Sequence, residues 1–144
     1  VIYLLDTDIV IFLIRSLKRG NAAKTQRLLK KMQSQSAIPG AAIGISALTK
    51  AELEYGAARS ESPEKERAAL AKILTPFDEY AFDADQCARF YGAIRRSLEQ
   101  KGQIIGAMDL LIAAHALALR ATLVSNNTRH FRRIRGLAVE NWTV

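Results

Sequence analysis

Two carboxylates in this chain stand where an ionised group is costly. Asp6 closes the apolar run Val1–Leu5, and Asp109 is the one acid in the stretch AMDLLIAAHALALR, Ala107–Arg120. A helix that is apolar on nearly every side belongs inside a fold, and a carboxylate at its start needs a cation or hydrogen-bond donors around it. For Asp109 alone, the free amides and dipole of a first helical turn after Gly106 would suffice. Glu52 is a third case, because Leu48, Glu52 and Tyr55 are spaced four and three apart and so share one helical face. The structural alternative for Glu52 is a capping box, Thr49-Lys50-Ala51-Glu52, which requires the helix to begin at Thr49 although Ser46 is an equally good cap. Glu54, four residues after Lys50, reads as an outer-face ion pair.

The elements that must position these acids follow from hydrophobic pattern and turn chemistry. Val1–Leu5 reads as a strand buried on both faces, running through Asp6-Thr7-Asp8 into a helix from Ile9 to Ile14. Ligands gather at the carboxyl ends of such strands, which is where Asp6 stands, whereas Asp8 suits an N-cap. Lys18–Gln35 reads as a basic surface helix ending at Pro39-Gly40, Ala41–Ile45 as a second strand, and Ser46 opens the helix carrying Glu52. A helix Pro63–Leu74, a strand Pro76–Phe82 and an amphipathic helix Asp83–Gln100 follow, the last turning Cys87, Phe90, Tyr91 and Ile94 inward. Beyond the apolar helix, Ala121–Ser125 is a strand that delivers Ser125, Asn126 and Asn127 at its end. Thr128–Ile134 is a short basic helical segment, and Leu137–Val144 a last strand with Trp142. This alternation predicts an α/β protein: one domain over residues 1–144, a three-layer α/β/α sandwich around a mainly parallel sheet.

Such a sheet can bring Asp6, Glu52 and Asp109 to one edge, beside the polar residues of 125–127. Three carboxylates there repel, and a divalent cation resolves the repulsion. Oxygen ligands without paired His or Cys favour Mg²⁺, or Mn²⁺, over zinc. The chain carries a formal net charge of +7, with basic residues recurring at Lys24, Arg27, Lys30 and Lys31 and again at Arg129, Arg132, Arg133 and Arg135. A hard cation on carboxylates beside basic helices suits hydrolysis of a phosphodiester bond. No GxxxxGK[ST] or GxGxxG is present, so nucleoside triphosphate and dinucleotide sites lack support. His115 reads as a core histidine and Cys87, the one cysteine, as a small hydrophobe. No apolar run is long enough to span a bilayer and no basic segment precedes the first one, so a cytoplasmic protein is expected. A phosphatase of the haloacid-dehalogenase kind, with Asp6 of the D-T-D as nucleophile, is a rival reading. It lacks the lysine and late acidic pair that chemistry wants.

Four segments carry a resemblance: LLDTDIVIF, ISALTKAELEYGA, IGAMDLLIAAHAL and LVSNNTRHFRRIRGL. In that order they resemble PIN-domain ribonucleases, most nearly the VapC toxins of bacterial toxin–antitoxin pairs. The resemblance implies a small α/β/α fold, a homodimer, and Mg²⁺-dependent cleavage of structured RNA such as tRNA. It also implies inhibition by a VapB-type antitoxin whose tail enters the active-site groove. By the same resemblance Asp6, Glu52 and Asp109 are the metal-binding acids, and Ser125 adds a hydroxyl. Many PIN domains have a fourth acid where this chain has Asn127, so a second metal would be held less firmly. A PIN-like scaffold that binds RNA or protein without cutting is the alternative this departure leaves open.

Overall fold

The structure, a computed structural model, describes residues 1–20 and 22–144. Its elements run β1 (Ile2–Leu5), α1 (Thr7–Arg19), α2 (Ala23–Ser36), β2 (Ala42–Ser46), α3 (Ala47–Ala58), α4 (Pro63–Leu74), β3 (Asp78–Tyr80), α5 (Ala84–Gln100), α6 (Ala107–Leu119), β4 (Thr122–Val124), α7 (Thr128–Phe131) and β5 (Ala138–Glu140). The five strands form one sheet in the order β3-β2-β1-β4-β5, every pairing parallel. The expected α/β/α architecture with its parallel sheet is therefore present. Among the described residues no helix is long and apolar enough to cross a membrane.

Alternation along the strands builds two cores. Leu4 and Leu123 join one core with residues of α5, α6 and α7. Tyr3, Leu5, Ile45 and Val124 face the other side, against Ile9, Val10, Leu28, Leu53 and Leu70. The α6 helix is buried nearly all round, from Leu110 through Ile112 to Ala116, as its composition demands. Its His115 is 1% exposed, and Nδ1 lies 2.7 Å from the Ser46 hydroxyl. That contact ties α6 to the start of α3, while burial pushes the imidazole pKa down.

Several expectations shift in detail. Lys18 and Arg19 close α1 rather than opening a basic helix; Gly20, at φ 91°, turns the chain before α2. The strand expected over Pro76–Phe82 shortens to three residues at the sheet edge, and Trp142 is buried just after β5 rather than within it. Phe90, expected inward, is 39% exposed, and Tyr55, expected on an apolar face, is 66% exposed. Lys50 pairs with Glu79 rather than Glu54, and Glu54 pairs with Arg67. A neighbouring strand and helix supply better-placed partners than the next helical turn.

Candidate active site

Strand register sets the first contact. Leu5 stands opposite Val124, so Asp6 and Ser125 leave the carboxyl edge of β1 and β4 as neighbours. Asp6 N donates to Val124 O at 2.8 Å, and Ser125 N to Glu140 O at 3.0 Å. The Ser125 hydroxyl then donates to Asp6 Oδ2 at 2.8 Å, and Asp6 Oδ1 accepts from Thr7 N at 2.8 Å. Asp6 therefore caps α1, a role the sequence pattern assigns to Asp8. The correction has a simple cause: the helix begins at Thr7, directly after the strand, and not at Ile9. Asp8 falls in the first turn and faces the same edge, where Oδ2 accepts from Asn126 N at 3.2 Å. Its Oδ1 is buried with no partner.

Asp6 is 4% exposed. Burial, followed by the nearby Asp8 charge, pushes its pKa from 3.8 up to about 7, against the opposing effect of its hydrogen bonds from Ser125 and Thr7. The charge of Asp109 adds to the rise. Asp8 and Asp109 are also raised, chiefly by burial. These are carboxylates held where their anions are unfavourable.

The apolar α6 helix projects Asp109 from its first turn toward the segment after β4. There Asn127 Nδ2 donates to Asp109 Oδ2 at 3.3 Å and lies 3.0 Å from His130 Nδ1. His130 Nδ1 is itself 3.9 Å from Asp109 Oδ2 and opposes the rise in its pKa. Asn127 N donates to Ser125 Oγ at 2.8 Å, so one turn links the two acids: Asp6 through Ser125 and Asp109 through Asn127. An amide at this position holds Asp109 in place without adding charge.

Glu52 arrives from the side. Ser46 caps α3 by accepting from Leu48 N, so the capping-box reading of Glu52 does not apply. Glu52 sits in the second turn, where Oε1 accepts from Thr7 Oγ1 at 2.8 Å; Thr7 Oγ1 also lies 3.0 Å from the buried Thr49 hydroxyl. Thr7 thus stands between Asp6, its chain neighbour, and Glu52. Glu52 also borders a cavity of about 260 Å³ between α1, α3 and α4, with Arg15, Lys18 and Arg59 on its walls. The sequence reading therefore misses Thr7, Asp8 and His130. The D-T-D at a strand end marks the first two, and the i to i+3 spacing from Asn127 marks the third.

Among the described residues, no three His, Cys, Asp or Glu side chains converge into a ready ion cage. The donor set nevertheless fits a hard divalent cation. Mg²⁺ needs only one or two carboxylates, keeping water or substrate phosphate on its other positions. The unpartnered Asp8 Oδ1 and the raised pKa values of Asp6 and Asp8 mark a pair of acids, one buried and one half-buried, with no cation beside them among the described residues. Imidazole and thiolate ligands suited to zinc are absent as a set, since Cys87 is buried on α5.

A parallel α/β/α sheet with acids gathered at its carboxyl edge defines a class that known proteins then specify. The model of the PIN domain matches residues 3–137. Ribonuclease VapC2 of Rickettsia felis is 40% identical over 141 residues, covering 98% of each chain. The tRNA(fMet)-specific endonuclease VapC of Shigella flexneri is 33% identical over 141 residues, again 98% of each. VapBC-1 from nontypeable Haemophilus influenzae has a chain that superposes with a TM-score of 0.87 at 30% identity over the full length of both. A chain of VapBC2 from Rickettsia felis, solved bound to a DNA fragment from their promoter, superposes at 0.83 with 39% identity and 99% coverage of each. The chain belongs to the PIN-domain family, among its VapC ribonucleases.

Proposed function

We propose that this chain is a Mg²⁺-dependent endoribonuclease, with Mn²⁺ as a substitute ion, that cuts structured RNA such as tRNA. It acts as the toxin of a pair restrained by a VapB-like antitoxin. The observation that carries the reading is the gathering of Asp6, Asp8 and Asp109 at the carboxyl edge of the sheet, joined through Ser125 and Asn127, beside the basic segment Arg129–Arg135. Relatives named ribonuclease and tRNA(fMet)-specific endonuclease support the substrate class, and neighbours solved as VapBC complexes support the antitoxin. Homodimerisation and a cytoplasmic setting, which the family resemblance implies, belong to the same proposal.

Asp6 and Asp109 would hold the cation, with Asp8 the nearest additional oxygen donor and Glu52 acting from the far side of Thr7. When bound, the ion would supply Lewis-acid charge to the phosphate and make a water molecule a competent nucleophile near neutral pH. Ser125 fixes the rotamer of Asp6 and Asn127 that of Asp109, so the two acids need little reorganisation. Glu52, hydrogen-bonded to Thr7, would accept a proton from the attacking water. Arg129 and Arg132 attract the polyanion by charge and carry no sequence information.

The phosphatase reading loses its footing here. Asp6 is met by Ser125, Thr7 and the charges of Asp8 and Asp109, with no lysine against it among the described residues, so the ammonium that chemistry wants is missing. Cleavage of total cellular RNA by the purified chain, with Mg²⁺ or with EDTA and beside Asp6→Asn, tests the proposal. Discrete fragments that require both the metal and Asp6 are expected. Intact RNA across several metals, with RNA still bound by folded protein, would establish the non-cutting scaffold instead.

A further inference from the structure

The pole of the molecule opposite the carboxylates carries a second feature. The α5 and α6 helices pack side by side, and along their outer seam runs a groove of about 530 Å³ bordered by Arg89, Phe90, Ala93, Leu117 and Arg120. A second groove of about 340 Å³ shares Phe90, Ala93 and Leu117 and continues to Arg133 and Arg135 in the turn between α7 and β5. Together they make one trough with an apolar floor and arginines at both ends. Arg120 and the α7–β5 turn precede β4 and β5, so the trough lies at the amino-terminal edge of the sheet.

The arginines that border this trough are unpaired among the described residues. Lys18, Lys50 and Arg67, on the α1, α3 and α4 side, each pair with a glutamate. Arg89, Arg120, Arg133 and Arg135 take part in no ion pair or side-chain hydrogen bond among the described residues. Between Ala84 and Leu137 the chain has nine basic residues and three acidic ones, so the segment that builds this face is basic. The helix α7 joins the trough to the acids: Asn127 and His130 touch Asp109 at one end, and Arg133 and Arg135 enter the trough at the other. A two-fold contact between copies through this face would set arginine rims against arginine rims.

We propose that the trough is a second binding site for the RNA substrate, taking its phosphodiester backbone away from the point of cleavage. The inference rests on the ribonuclease reading above. Guanidinium groups grip phosphate oxygens in a bidentate manner. Phe90, 39% exposed between them, offers an aromatic face to a ribose or base. A structured RNA whose cut segment lies on the acids would follow α7 and rest a neighbouring arm in the trough. This site adds affinity for long, folded RNA and leaves the chemistry untouched.

The test is equilibrium binding of bulk tRNA to the full chain in EDTA, from 50 to 200 mM salt, for wild type, Arg89→Glu/Arg133→Glu and Arg89→Lys/Arg133→Lys. Each phosphate contact contributes about 0.9 to the slope of log affinity against log salt. The glutamate variant should bind at least about tenfold more weakly and lose about two from that slope. Its melting temperature and Mg²⁺ affinity should match wild type, and the lysine variant should keep most of the slope. Equal affinity and slope for wild type and the glutamate variant would overturn the proposal. So would a loss of self-association in that variant with RNA affinity unchanged, which would assign the trough to a second copy. If wild type neither binds nor cuts tRNA, the ribonuclease reading itself fails and the trough proposal falls with it.

Discussion

Replacing Asp6 by Asn should make the metal-free protein more stable at pH 8 while abolishing its activity. Asp6 has an ordinary pKa of 3.8 in the unfolded chain and about 7 in the folded one. Folding therefore favours proton uptake at Asp6. Stability linked to that proton is complete below pH 4 and is lost as pH rises through 7. Each tenfold change in proton affinity corresponds to about 1.4 kcal/mol, so the loss at pH 8 is bounded at about 4 kcal/mol. Relaxation of the site and water entry reduce it, leaving an expected gain for Asp6→Asn of about 1–3 kcal/mol. The amide retains the local bonds: its oxygen can accept from Thr7 N and its NH₂ can donate to the Ser125 hydroxyl. For a chain of this length the gain corresponds to roughly 3–9 °C in melting temperature. Thermal unfolding in EDTA at pH 4 and pH 8 measures it. The variant should gain under about 1 kcal/mol at pH 4, where folded Asp6 is neutral and the unfolded carboxyl is only about half ionised. An equal loss of stability at both pH values would show that Asp6 is a structural cap whose charge is well accommodated, and the electrostatic account would be wrong.

Other perturbations separate catalysis from architecture. Thr7→Val removes the hydroxyl that holds Glu52 and meets Thr49; turnover should fall about tenfold with a stability cost of about 1 kcal/mol, and unchanged turnover would remove Glu52 from the site. Glu54→Gln should leave RNA cleavage within twofold of wild type, because Glu54 pairs outward with Arg67; a large loss in a cleavage assay would mean the wrong glutamate had been chosen. Gly44→Ala should destabilise by about 1–3 kcal/mol in urea unfolding, since an added Cβ would meet Asp78 O at 2.5 Å and Tyr80 Cε2 at 2.6 Å; a change under about 0.5 kcal/mol would show that the edge strand yields freely.

The element order was legible because the apolar runs and turn residues punctuate the chain clearly. Strands such as Tyr3–Leu5 are buried on both faces, and Pro63 and Asp83 start their helices where turn chemistry puts them. Asp6, Ser125 and Asn127 are legible as candidates because a parallel sheet gathers the carboxyl ends of its strands, and Asp109 because it is the one acid in an apolar helix; the structure joins Asp6 to Ser125 and Asp109 to Asn127. Asp8 reads as the cap from sequence, whereas Asp6 is the cap, because the strand passes to helix across a single residue, a boundary that composition does not fix. The sequence puts Glu52 on the helix where the structure has it, but its link to Asp6 runs through Thr7, a tertiary contact between α1 and α3 that no local pattern carries. Phe90 looked like core by spacing alone. Its exposure follows from where the α5–α6 seam opens, which depends on packing between two whole helices.

The most direct test of the account is calorimetric titration of the full chain with Mg²⁺ at pH 7, in two buffers of different ionisation enthalpy, for wild type and Asp109→Asn. The acidic cluster predicts that wild type binds Mg²⁺ and releases part of a proton, because Asp6 is half protonated at that pH before binding. Asp109→Asn should bind far more weakly and fail to cut RNA. Absence of Mg²⁺ binding by a wild-type protein that still cleaves RNA in EDTA would contradict the account at its centre.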